Sequence, residues 1–120
     1  MSETSFVRTR DRMETASVSK ARGGDGTFTC THVMDAPAGG GGHVRLIHEV
    51  VMPPGTSIGV HRHEGDEEYY YFVSGRGTMT LDGRRQAVQA GDIAAVLPGG
   101  EHGLANDSDD DLRFVAIKAE

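Results

Sequence analysis

The 120 residues predict an all-β sandwich or barrel, on three observations. Seventeen of them are Gly, about twice the average usage. Nine short segments alternate apolar and polar side chains or are rich in β-branched residues, with turn signals between them. No segment carries a helical period long enough to pack on a sheet.

The elements follow in chain order. Residues 1–22 are polar with alternating charge, an arm in which a short helix around residues 10–16 is expected, and Gly23-Gly24-Asp25-Gly26 breaks the chain. The arm spans residues 1–26, and the barrel domain 27–120. Residues 27–33 (TFTCTHV) read as the first strand, and Gly39–Gly42 as a loop within the domain. Residues 44–52 alternate, with Val44, Leu46, His48, Val50 and Met52 on one face. Pro53-Pro54-Gly55 ends that strand. Residues 57–63 and 68–74 come next, joined by an acidic turn. Residues 76–81 and 84–88 flank Asp82-Gly83, a two-residue hairpin signal. Residues 93–97, 102–106 and 112–118 complete the set.

Twelve Lys and Arg against eighteen Asp and Glu give a net charge of −6. That disfavours nucleic acid and anionic membrane surfaces as partners. The longest aliphatic run, residues 93–97, is too short to span a bilayer, and the N-terminus lacks a signal peptide's apolar stretch. Cytoplasm is the expected compartment. Cys30 is the single cysteine, so neither an internal disulfide nor a multi-cysteine zinc site is expected, and it reads as a small buried hydrophobe.

Three histidines and a carboxylate carry the chemistry: His61, His63, Glu68 and His102. His61 and His63 are two apart on a strand and share a face. Glu68 opens the next strand, and His102 comes from a later one. Imidazole and carboxylate suit one divalent Fe, Mn, Zn, Ni, Co or Cu ion. HxH alone is a weak signal, and the run of residues 64–68 could be only a solvated turn.

The stretch from Gly55 through His61, His63 and Glu68 to Gly75 resembles the first motif of the cupins, G-x5-H-x-H-x4-E-x6-G, at every fixed position. Gly91 through Gly99, His102 and Asn106 is similar to the second, G-x5-P-x-G-x2-H-x3-N, with one departure: Leu97 stands in the proline slot and Pro98 follows it. The resemblance covers residues 43–118. It implies a cupin barrel or jelly roll with a divalent ion inside one end, held by His61, His63, Glu68 and His102, and a homodimer. Glu67 competes with Glu68 but lies on the opposite face.

With Glu68 inward, Tyr70 and Phe72 are inward too, and Tyr69 and Tyr71 outward. Tyr70 is a candidate hydrogen-bond donor to a substrate oxyanion or metal-bound water, set against a plain core tyrosine. His48 points into what reads as an apolar interior, a candidate base set against a satisfied core histidine. Arg62 and Arg76 are available to a substrate carboxylate. Asn106 reads as a turn residue. The function expected is a metal-dependent enzyme acting on a small anionic or metal-chelating molecule, by dioxygenase, decarboxylase, isomerase or cyclase chemistry. The competing class is a non-catalytic module that binds a metal or small ligand.

Overall fold

In the computed structural model, which describes residues 5–36 and 42–120, ten strands form two facing antiparallel sheets. The strands are β1 (Glu14–Ser19), β2 (Thr27–Asp35), β3 (Val44–Met52), β4 (Ser57–Arg62), β5 (Glu67–Ser74), β6 (Arg76–Leu81), β7 (Arg84–Gln89), β8 (Ile93–Val96), β9 (Glu101–Ala105) and β10 (Leu112–Ala119). One sheet has six strands in the order β1-β2-β3-β10-β5-β8, the other four in the order β4-β9-β6-β7. This is the jelly-roll arrangement. Among the described residues, no helix is long and apolar enough to cross a membrane. The Gly39–Gly42 loop lies outside the described residues except for Gly42.

The alternating residues of each strand build the core. Met52, Phe72, Met79, Phe114 and Leu112 have no exposed surface. Tyr70, Phe72 and Phe114 form an aromatic trio, with ring centroids 4.4 Å apart for Tyr70–Phe114 and 5.7 Å for Phe72–Phe114. Tyr71 on the opposite face is 47% exposed, so the inward and outward tyrosines fall as the alternation requires.

One element differs from the sequence reading. Residues 10–16 form no α-helix: a 3-10 turn spans Arg10–Arg12, and Glu14–Ser19 is a strand. Only Ala16 and Val18 give β1 an apolar face, so its state comes from pairing with β2, from Glu14 opposite His32 to Ser19 opposite Thr27. β2 therefore has neighbours on both sides, and the sheet edge is β1.

The turns hold the sheets in register. Asp82 (φ 49°) and Gly83 (φ 81°) make the tight hairpin between β6 and β7. At Gly75, φ is 83° and a Cβ would lie 2.2 Å from the Asp111 carbonyl oxygen, so only glycine fits there. Leu97 in the proline slot leaves the next turn intact. Pro98 fills the second position, Gly99 takes φ 90°, and the Gly100 amide donates to the Leu97 carbonyl at 2.9 Å.

Asn106, 1% exposed, ties the end of β3 to the turn before β10. Its amide nitrogen donates to the carbonyls of Met52 and Asp110, both at 2.8 Å, and its oxygen accepts from the Ser108 amide and hydroxyl. Asn106→Ala strands the buried Met52 carbonyl and removes the contacts to Asp110 and Ser108. At about 1–3 kcal/mol for each buried group left unpaired, we expect a loss of about 3 kcal/mol in urea denaturation. A loss below about 0.5 kcal/mol would show that the staple is dispensable.

Candidate metal centre

His61 and His102 are direct partners in the β4–β9 ladder, so both side chains leave the same face of the four-stranded sheet. His63 follows the end of β4. It is locked to the turn after β8, because its amide donates to the Gly100 carbonyl at 2.9 Å and its carbonyl accepts from the Gly99 amide at 2.7 Å. Glu68 reaches in from β5 of the other sheet. His63 and His102 are buried, and Glu68 has 11% of its side chain exposed.

Four atoms converge. His63 Nε2 lies 3.0 Å from His102 Nε2, which lies 3.2 Å from His61 Nε2. Glu68 Oε1 lies 3.2 Å from His63 Nε2 and 3.1 Å from His102 Nε2. The outer ring nitrogens explain why these atoms face inward as lone pairs. His61 Nδ1 donates to the Gly59 carbonyl at 2.8 Å, and His63 Nδ1 to Asp66 Oδ1 at 2.9 Å. Each ring is thereby held in the tautomer that leaves Nε2 without a hydrogen. A single His102 N–H cannot satisfy two imidazole nitrogens and a carboxylate at once, whereas a cation can. Neighbouring donors on one small divalent ion with bonds of about 2.1 Å lie roughly 3.0 Å apart, close to the separations here. The four residues form a group able to hold a metal ion.

Burial pushes His61 below the ordinary imidazole value, and the charges of His102, Arg22 and His63 add to this against the Gly59 carbonyl. Burial alone would raise the Glu68 carboxyl. The hydrogen bond from His102 and the charges of His102, His63 and Lys118 outweigh it and hold Glu68 below the usual range. Tyr70 is wholly buried beside His102, with ring centroids 5.0 Å apart. Burial and its hydrogen bond to the charged Glu68 keep its hydroxyl protonated far above the ordinary phenol range.

The structure brings together His61, His63, Glu68 and His102, with Tyr70 against them. It does not bring His48 to them. That ring lies on the inner face two strands from Tyr70, in polar surroundings: Asp35 Oδ1 is 2.8 Å from Nε2, and Cys30 Sγ is 3.4 Å from Nδ1. The apolar setting expected for His48 is corrected by Asp35 and by His32, whose ring centroid is 4.2 Å away. Cys30 is buried as expected, and burial raises its thiol pKa. Arg62 turns outward to Glu101 Oε1 at 2.6 Å, and Arg76 begins β6, beyond the far end of β5 from Glu68.

Three contributors escaped the sequence reading. Asp66 orients His63, and its position three residues on in the same turn was the available signal. Asp35 joins His32 and His48. Arg22 sits in a 3-10 turn (Ala21–Gly23) stitched to β4, with the Ser57 amide donating to the Asp25 carbonyl at 2.9 Å. A Cβ at Gly59 would lie 2.0 Å from the Arg22 carbonyl oxygen, so this turn rests directly on the strand that carries His61.

Facing antiparallel sheets with three inward histidines on or beside one and an inward glutamate on the other define a barrel of the cupin class. The chain belongs to the cupin family: residues 48–118 match the model of the Cupin domain. It is 34% identical over 100 residues to the oxalate-binding protein of Thermotoga maritima, an alignment covering 83% of this chain and 82% of that one. The crystal structure of a predicted oxalate decarboxylase from Thermotoga maritima matches with a TM-score of 0.86 at 30% identity, over 95% of this chain and 98% of that one. A Cupin 2 conserved barrel domain protein from Salinispora arenicola shares the fold, with a TM-score of 0.70 at 24% identity, over 98% of this chain and 91% of that one.

Both His61 and Glu68 have folded-state pKa values below their ordinary ones, 6.5 and 4.5. Between the folded and ordinary values the unfolded chain binds more protons, so stability rises with pH. The His61 contribution is complete above about pH 6.5 and the Glu68 contribution above about pH 4.5, and each is lost as pH falls through the folded value. In metal-stripped protein, the urea-midpoint gap between wild type and Glu68→Gln should narrow below pH 4.5. A gap that stays constant down to pH 3 contradicts the assignment.

Proposed function

We propose that this chain is a metal-dependent cupin in which His61, His63, Glu68 and His102 hold one divalent ion, and that it acts on a small chelating carboxylate of the oxalate type. The observation that carries the reading is the convergence of three imidazole nitrogens and a carboxylate oxygen, with four contacts of 3.0–3.2 Å among them and two of the imidazoles fixed in their tautomers from behind. When bound, the ion supplies a Lewis acid with positions open to a bidentate ligand. Around it, the chain's own groups set the terms. Asp66 keeps the His63 lone pair inward, and the Tyr70 hydroxyl holds Glu68 in place. Three neutral imidazoles and one carboxylate leave a divalent site at +1, which attracts an anion. Arg22, close enough to act on both His61 and Tyr70, adds positive charge on the β4 side and is the group we assign to the second carboxylate of the ligand. The similarity to an oxalate-binding protein supports this substrate class.

A second reading, binding without turnover, is favoured by Tyr70. This candidate hydrogen-bond donor is committed to Glu68 and held protonated. The two readings separate on product: metal-loaded protein incubated with oxalate under air and under argon either consumes it or binds it unchanged.

The metal itself is tested first. Purified protein should carry close to one divalent ion per chain at this centre, and His61→Ala or His102→Ala should each lower the metal content by close to that one ion. Metal content in both variants equal to that of wild type, by elemental analysis, would sink the assignment. Metal content should fall below about pH 6, as protons compete for imidazoles whose ordinary value is ~6.5. Calorimetry should show oxalate binding the metal form at least ten-fold more tightly than the stripped form. Arg22→Ala should weaken oxalate by about ten-fold with metal content unchanged. Equal affinity in both forms would make the metal structural.

The chain is also proposed to pair, through the outer face of the six-stranded sheet. There Ile47, Ile117, Tyr69 and Ala95 form one row, and Val115, Tyr71 and Ile93 lie in the next. Tyr71 and Ile93 are 47% and 66% exposed, an aromatic and aliphatic patch of the kind found in interface cores. Light scattering should give twice the 12.8 kDa chain mass, and Ile93→Glu should halve the measured mass. A monomer at every concentration refutes the dimer.

A further inference from the structure

On the inner face of the six-stranded sheet, across β10 from Tyr70, three more metal-ligating side chains meet. His32 on β2 and His48 on β3 are direct register partners. Simple alternation would turn Asp35 to the other face. A bulge after His32 shifts the register, so that Asp35 pairs with Leu46 and rejoins the face of His32 and His48. Its carboxylate then lies 2.8 Å from His32 Nδ1 through one oxygen and 2.8 Å from His48 Nε2 through the other. The three ligand atoms lie within 4.8 Å of one another.

We propose that His32, Asp35 and His48 form a second site for a divalent transition ion of the zinc type, separate from the histidine–glutamate centre. Two imidazoles and one carboxylate with positions left for water are a donor set that suits such borderline ions. Both ring nitrogens that face Asp35 can be freed of hydrogen without releasing a proton, by tautomer exchange. In His48 the hydrogen moves to Nδ1, where Cys30 Sγ stands 3.4 Å away to accept it. In His32 it moves to Nε2. Donors on a tetrahedral ion with bonds of 2.0–2.1 Å sit about 3.3 Å apart, so the present contacts need to open by only about half an ångström. The side chains can give that room: His32 is 39% exposed, Asp35 48% and His48 16%. The same exposure lets an ion enter. Three spacings of about 4.8 Å separate β2 from β5, which places the site too far from Glu68 to share one ion with it.

The site is independent of the first, and the test keeps them apart. Zn(II) is titrated into metal-stripped full chain against a chromophoric chelator, in wild type and in His102→Ala, each with and without Asp35→Ala. Asp35 is a half-exposed side chain at the end of β2, so its removal leaves the core packing untouched, and His32→Gln provides a second variant. We expect two ions per wild-type chain. We expect one in His102→Ala, and its affinity should fall at least ten-fold when Asp35→Ala or His32→Gln is added. Co(II) should report the same loss in its visible absorption. Zn(II) uptake in the His102→Ala background that neither Asp35→Ala nor His32→Gln changes overturns the proposal, as does wild-type stoichiometry unaltered by both. Loss of an ion on His102→Ala alone bears only on the first centre.

Discussion

The interior is organised around lone pairs that have been pushed together. Three imidazole nitrogens and a carboxylate oxygen make four contacts of 3.0–3.2 Å, and a single N–H among them can satisfy only one acceptor. Buried polar atoms without partners are costly, so the arrangement persists only because the surrounding frame leaves these side chains nowhere else to turn. Much of the fold supplies that frame. The β4–β9 pairing sets His61 against His102, the turn after β8 fixes His63 through its backbone, and the aromatic trio behind Glu68 fixes the strand from which it projects.

The frame draws these side chains from both sheets. Glu68 crosses from the six-stranded sheet to meet histidines on the four-stranded one and beside it. An electrostatic contact therefore spans the same gap that Phe72, Phe114, Met52 and Met79 fill by packing. The two are complementary. Apolar side chains set the spacing of the sheets without selecting any chemistry, and the polar cluster at the end of the sandwich uses that spacing.

Nearly all strands from β2 to β10 were legible, because period-two alternation and glycine or proline turns are local signals. The quartet was legible for a related reason: His61 and His63 share a face by spacing alone, and Glu68 shares its parity with Tyr70 and Phe72. The unread parts depend on partners distant in the chain or on broken alternation. β1 has too few apolar residues to declare itself and becomes a strand only against β2. Asp66 could not be told from the acidic residues around it until its contact with the His63 ring was seen. Asp35 was hidden by the bulge that reverses its parity, and that same omission made the setting of His48 look apolar.

The approach of the Arg22 carbonyl to Gly59 joins two parts of the chain by backbone rather than by side chain. A contact of this kind fixes where residue 22 sits, and the only demand on its identity comes from its left-handed backbone (φ 53°), which disfavours β-branched side chains. The position is a socket. Its path is held by the left-handed turn and by hydrogen bonds to β4, and its side chain is exposed and free to be exchanged. The frame beside β4 is therefore set by the backbone of residue 22, and the group its side chain presents there is not part of the core.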